Sequence, residues 1–222
     1  TPDVWMASSP AAILEALRRR LREEGAFDRR DVISLRGDTH DISVITAEGA
    51  DLPFDRVVVA AGVWSRELVR GLGLKVSLEA QRGYNTTFRD DPLDLPFPVT
   101  FAQHGFYASP LAEGLRVGGA VELARPDSPP NYKRADAMIE VMRRYAPALP
   151  DHGGTQWMGC RPSTPDSLPV IGRDPRDPRI LFAFGHGHLG LTLSAVTARS
   201  IATLVDDKEP PELAPFGIER FQ

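Results

Sequence analysis

Apolar residues recur along this chain in two periods, and the alternation between them lays out a mixed series of helices and strands. Ile13, Leu14, Leu17 and Leu21 stand three and four apart in residues 11–24, so this stretch predicts an amphipathic helix that Ser8 or Ser9 can cap. Arg18, Arg19, Arg20 and Arg22 share it with Glu15, Glu23 and Glu24, a balance that reads as a solvated face rather than a phosphate site. Residues 32–35 and 42–46 flank Arg36-Gly37-Asp38 and predict a hairpin. The run Val57-Val58-Val59-Ala60-Ala61 is apolar at every position, the pattern of a central parallel strand covered on both faces, and a helix over residues 65–72 is expected after it. Longer strands are expected over 76–88 and 99–123, the second broken by a turn at 111–115. Residues 131–146 read as a helix with Ala135, Met138, Ile139 and Met142 on its core side. Near the carboxyl end a strand over 180–184 leads into Gly185-His186-Gly187-His188-Leu189-Gly190 and then a helix-like stretch over 191–204.

The two strongly apolar strands, 57–61 and 180–184, lie more than a hundred residues apart, with antiparallel-looking segments and one helix between them. That order predicts an α/β (α+β) chain in which one sheet is assembled from distant segments. The expected division is 1–75 with 155–222 as one discontinuous domain and 76–154 as an inserted antiparallel sheet with one helix.

Composition narrows the classes. The chain has 222 residues, 42% hydrophobic and 25% charged, with a net charge of −4, which suits a globular protein and gives no electrostatic reason to expect nucleic acid. No apolar run approaches the roughly 18 to 20 residues of a membrane span, and the first ten residues lack the basic start and apolar core of a secretory signal. The single cysteine, Cys160, excludes an internal disulfide and accords with a reducing compartment, so the cytoplasm is the expected location. His40, His104, His152, His186 and His188 are too scattered to predict a metal site, and there is no G-x-S-x-G elbow.

The glycine turn after residue 184 suits a close approach to an anionic or electron-rich group, because glycines turn tightly without Cβ clashes. Gly185, Gly187 and Gly190 satisfy G-x-G-x-x-G literally. A dinucleotide unit also needs a second parallel strand ending in an acid about 20 residues on, whereas here the chain reaches Asp206-Asp207-Lys208-Glu209-Pro210-Pro211. A nicotinamide-binding protein is therefore the weaker reading of this turn.

Residues 159–172 pack prolines and glycines around one arginine, Arg161, which is expected in a stiff loop. Taken with 55–65 and 185–192, this segment resembles the carboxyl-terminal part of the FAD-dependent amine and amino acid oxidoreductases. That family holds D-amino acid oxidase, the D-amino acid dehydrogenase small subunit, glycine oxidase and monomeric sarcosine oxidase. The surroundings of Arg161 and Gly185 look most like its bacterial D-amino acid or hydroxyproline dehydrogenase branch. The resemblance implies oxidation of the CH–NH bond of a small, D-configured amino acid to an imino acid, then a 2-oxo acid and ammonia. It assigns Arg161 to the substrate carboxylate, where a structural salt bridge with Asp166 or another acid is the alternative. Tyr107 falls at a substrate-pocket tyrosine or is a half-buried strand residue, and His188 falls at a pocket position or orients its loop. Toward the FAD the resemblance assigns Val32, Ala61, Gly62, His186, Gly187, His188, Leu189, Gly190, Leu191 and Thr192. Cys160 stands one residue past the position at which some sarcosine-oxidase relatives bind flavin covalently, so the FAD is expected to be non-covalent. Family members open with a strand, a G-x-G-x-x-G turn and a helix around the FAD diphosphate, and nothing before Ala11 supplies them. The expectation is the second half of a longer enzyme, whose shortened chain can lack FAD and exposes the apolar faces at 57–61 unless the missing half or a second copy covers them. The competing class is an inactive fragment serving as an interaction or dimerisation module.

Overall fold

A computed structural model of the chain describes residues 9–89, 93–150 and 152–222, which fall into two units. The first comprises Thr1–Arg29, Arg82–Glu122 and Ser128–Gly159; the second comprises Arg30–Gln81, Leu123–Asp127 and Cys160–Gln222.

Helix α1 (Pro10–Glu23) opens the first unit where its signals place it. The Ser9 hydroxyl accepts from the Ala12 N–H at 3.3 Å and donates to Glu113 at 2.6 Å, and Pro10 sits in the first turn, where its missing N–H costs nothing. Ser8, the other capping candidate, lies outside the described residues. No residue of α1 is buried: Ile13, Leu14, Leu17 and Leu21 all face solvent.

Most of a five-stranded sheet follows in this unit: β5 (Glu79–Phe88), β6 (Val99–Phe101), β7 (Phe106–Leu111), β8 (Gly114–Leu123) and β9 (Thr155–Ser163), in the order β6-β7-β8-β5-β9, with residues 79–81, 123 and 160–163 belonging to the second unit. The β7–β8 hairpin is antiparallel, with Leu111 opposite Gly114, so the break expected at 111–115 is a tight turn. Helix α3 (Lys133–Tyr145) buries Ala135, Met138, Ile139 and Met142, the side its periodicity marks, in one cluster with Tyr84, Phe88, Phe106, Leu115 and Val117. A polar knot is buried beside this core. Arg82 is 1% exposed; its Nη2 donates to the Ser128 carbonyl at 2.9 Å and its Nη1 lies 3.6 Å from Glu122. The Tyr84 hydroxyl donates to Glu122 at 2.5 Å and accepts from the Asn131 N–H at 3.1 Å. Burial and the neighbouring Glu122 raise the Tyr84 pKa, and the Tyr84 hydrogen bond lowers that of Glu122.

The second unit carries a meander of β1 (Val32–Gly37), β2 (Ile42–Thr46) and β3 (Asp51–Phe54), all antiparallel. The hairpin is the expected one. Strand β3 is not legible in Asp-Leu-Pro-Phe, which shows no alternation; its Pro53 is tolerated because β3 pairs on one side only. The other sheet has the order β10-β11-β4, built from β4 (Val57–Val59), β10 (Val170–Arg173) and β11 (Ile180–Phe184), with β4 and β11 parallel and Val57 opposite Ile180. The expectation of a strand covered on both faces is corrected here. Val59 is buried, but β4 is an edge strand of the described sheet and Val58 is 42% exposed, since no described strand lies beyond it. Helix α2 (Ser65–Gly71) follows a single 3₁₀ turn, and Val69 joins Val59, Leu78, Phe182 and Phe184 in the core. Helix α4 (Ser194–Val205) starts three residues later than its apolar pattern suggests, because residues 190–193 form turns.

Candidate functional site

Within the second unit, parallel strands β4 and β11 run side by side, and just past the carboxyl end of each stands a glycine in the left-handed region. Gly62 has φ 59° and Gly185 φ 82°. A Cβ at Gly62 would meet nothing within 4 Å, so the space past β4 is open, with Ala61 half-buried beside it. A Cβ on Gly185 would come within 3.2 Å of the Thr164 methyl. The turn beyond Gly185 is tied on two sides. The Gly187 N–H donates to the Pro162 carbonyl at 2.8 Å, Ser163 and His186 form an antiparallel bridge, and His186 Nε2 meets Thr197 Oγ1 of α4 at 2.9 Å. Burial lowers the His186 pKa, so this ring is a neutral anchor at pH 7. Leu189, Gly190, Leu191 and Thr192 are left exposed at the head of the turn.

Arg161 lies on β9 rather than in a loop, and Pro162 beside it is accommodated because β9 is an edge strand. Its Nη1 is buried and has no hydrogen-bond partner. Asp166, one acid that could have made Arg161 structural, is engaged elsewhere: Arg220 Nε donates to it at 2.8 Å. Exposed His188 places Nε2 2.6 Å from Gln81 Oε1, and its pKa is lowered by partial burial and by the charge of Arg161. Gln81 carried no sequence signal, being one polar residue in a long strand run; only its pairing with His188 reveals it. Val32 opens β1, exposed. Tyr107 belongs to the first unit, on β7 opposite Gly118, and its ring lies across that glycine with the residue 37% exposed. Cys160 is half-buried and forms no disulfide. No group of three metal-binding side chains occurs among the described residues, and none of the described helices is long and apolar enough to cross a membrane.

The Asp166–Arg220 pair fixes the segment that follows Arg161, and it titrates. Hydrogen bonding to Arg220 holds the Asp166 carboxyl below its usual range in the folded chain. Its contribution is therefore present above the unfolded value of about 4 and is lost as pH falls through the lower folded value. Asp166→Asn is expected to weaken the chain at pH 7 and to make the urea midpoint less sensitive to acid than in the parent. Equal acid sensitivity in the two proteins would remove Asp166 from the account.

Ligands fit best in the crevice outside the carboxyl ends of parallel strands, and this chain opens that crevice with a left-handed glycine past each strand. The FAD dependent oxidoreductase family model matches residues 1–204. The chain belongs to the FAD dependent oxidoreductase family. D-amino-acid oxidase from Bradyrhizobium diazoefficiens is 34% identical over 218 residues, covering 96% of this chain and 52% of its own length. The crystal structure of glycine oxidase from Geobacillus kaustophilus superposes with a TM-score of 0.72 at 29% identity, over 86% of this chain and 52% of that one. L-proline dehydrogenase from P. horikoshii shares the fold, with a TM-score of 0.78 at 21% identity over 94% of this chain and 59% of its own. This FAD dependent oxidoreductase chain thus spans about half the length of the curated relatives it matches. It has their architecture of an FAD-type sheet and helices with an inserted antiparallel sheet. The open space past Gly62 and the tied glycine turn at 185–190 fit a flavin approaching the backbone closely.

Proposed function

We propose that the chain forms the substrate-anchoring part, and one side of the cofactor cradle, of an FAD-dependent enzyme that oxidises the CH–NH bond of a small D-amino acid. The imino acid produced would hydrolyse to a 2-oxo acid and ammonia. The observation that carries this reading is the buried, unpartnered Nη1 of Arg161. A guanidinium left without an acid inside a protein is costly unless an anion completes it, and a carboxylate matches its fork with two parallel donors. Arg161 and His188, both of the second unit, hold the substrate. Val32, Ala61, Gly62 and residues 186–192 face a non-covalently held FAD. The flavin, when bound, supplies the acceptor for the hydride equivalent leaving the α-carbon. What the chain's residues do is fix the carboxylate, orient the amine and keep the loop in place through His186 and Thr197. The single cysteine accords with a cytoplasmic location.

A second reading, association without catalysis, draws on the open edge of β4 and the exposed leucines of α1. A visible absorption spectrum of the chain, taken after incubation with FAD and gel filtration, separates the two. Retained flavin bands are the expected result. A colourless chain that elutes as a dimer favours association and overturns the cradle.

A further inference from the structure

Arg161 accounts for one end of an amino acid, and the other end needs a partner of different chemistry. We infer that Nδ1 of His188 is the acceptor that recognises an N–H of the substrate amine, and that Gln81 is the positioning residue that sets the imidazole tautomer for it. The inference rests on Arg161 as the carboxylate anchor proposed above.

A neutral imidazole carries one N–H and one lone pair, and what each nitrogen faces decides which is which. Nε2 faces the Gln81 amide oxygen at 2.6 Å, an acceptor, so Nε2 carries the hydrogen. Nδ1 is left with its lone pair and has no hydrogen-bond partner among the described residues. Partial burial and then the charge of Arg161 oppose protonation of this ring. His186, two residues away, does not share the role: its Nε2 is taken by Thr197. Only two bonds separate the carboxylate carbon of an α-amino acid from its nitrogen. A substrate gripped at Arg161 therefore carries its amine close to the guanidinium, and the Gly187–Pro162 hydrogen bond with the Ser163–His186 bridge sets the turn that carries His188 beside the strand end that carries Arg161. The class selected is amino acids whose neutral amine keeps at least one N–H, both primary amines and ring secondary amines such as those of proline type. N,N-dialkylated amino acids, which keep none, are refused.

The test uses this chain labelled with ¹⁵N in its histidine rings, and two ring carboxylates of nearly equal shape: pyrrole-2-carboxylate, which has an N–H, and furan-2-carboxylate, which has an oxygen in its place. In the free chain His188 is expected as the Nε2–H tautomer, and Gln81→Leu is expected to give a mixture of tautomers. Both probes should bind. The pyrrole should bind about tenfold more tightly, the order expected of one hydrogen bond, and should shift the Nδ1 resonance. In His188→Phe the two affinities should converge. An Nδ1–H tautomer in the parent chain, or equal affinity for the two probes, overturns the inference and leaves the carboxylate anchor standing. If neither probe binds, or if Arg161→Ala binds both unchanged, the anchor itself falls, and with it the proposed function.

Discussion

Arg161→Ala is expected to raise the apparent KM of the proposed flavin-loaded enzyme for its amino acid by about 10² to 10³-fold, with flavin content unchanged. The scale is that of removing one partner from a buried, hydrogen-bonded charge pair. The argument depends on the arginine being held open for a ligand. Its Nη1 is buried without a partner, and the nearest acid in sequence, Asp166, is already paired with Arg220. Arg161→Lys should recover only part of the loss, because an ammonium is a point charge without the planar fork. Flavin content by absorbance and steady-state kinetics on the same preparations check both statements. Unchanged KM with normal flavin would remove Arg161 from the site.

Arg82→Met is expected to destabilise the chain by about 3 kcal/mol, read from chemical denaturation, as when one member of a buried ion pair is removed. Burial of Arg82 is nearly complete, and its loss strips the Ser128 carbonyl of a donor and Glu122 of an ion-pair partner at once. Glu122 keeps Arg134 at 3.5 Å and the Tyr84 hydroxyl, which holds the cost toward the lower end of what such pairs show. A double variant, Arg82→Met with Glu122→Gln, should cost less than the sum of the two single changes, since the charge left without its partner is then gone. Full additivity would mean that the two residues do not act as a pair.

How far the sequence reveals this molecule depends on whether a feature lives in local period or in distant pairing. Helix α3 is legible because Ala135, Met138, Ile139 and Met142 repeat at helical spacing and are buried there. The β1–β2 hairpin is legible because its turn residues interrupt two apolar runs. The edge position of β4 is not: three valines in a row look alike whether one or two strands flank them, and only the sheet order settles it. Arg161 is singled out by its proline- and glycine-rich surroundings, which suggest a loop. Yet residues 155–163 are extended, because sheet pairing overrides local composition at an edge. Gln81 and Arg82 escape notice altogether. One is defined by a histidine 107 residues away and the other by complete burial, and neither condition leaves a local pattern.

The parallel pairing of Val57 with Ile180 also sets a schedule for synthesis. The ribosome delivers β4 more than a hundred residues before β11, and at about 5 to 20 residues per second the three valines wait on the order of ten seconds for their partner. The β7–β8 hairpin and α3 are completed in that interval from contacts much closer in sequence. Their folding shortens the effective loop that must close when β11 emerges, so the insert prepares the closure of the sheet that surrounds it in sequence.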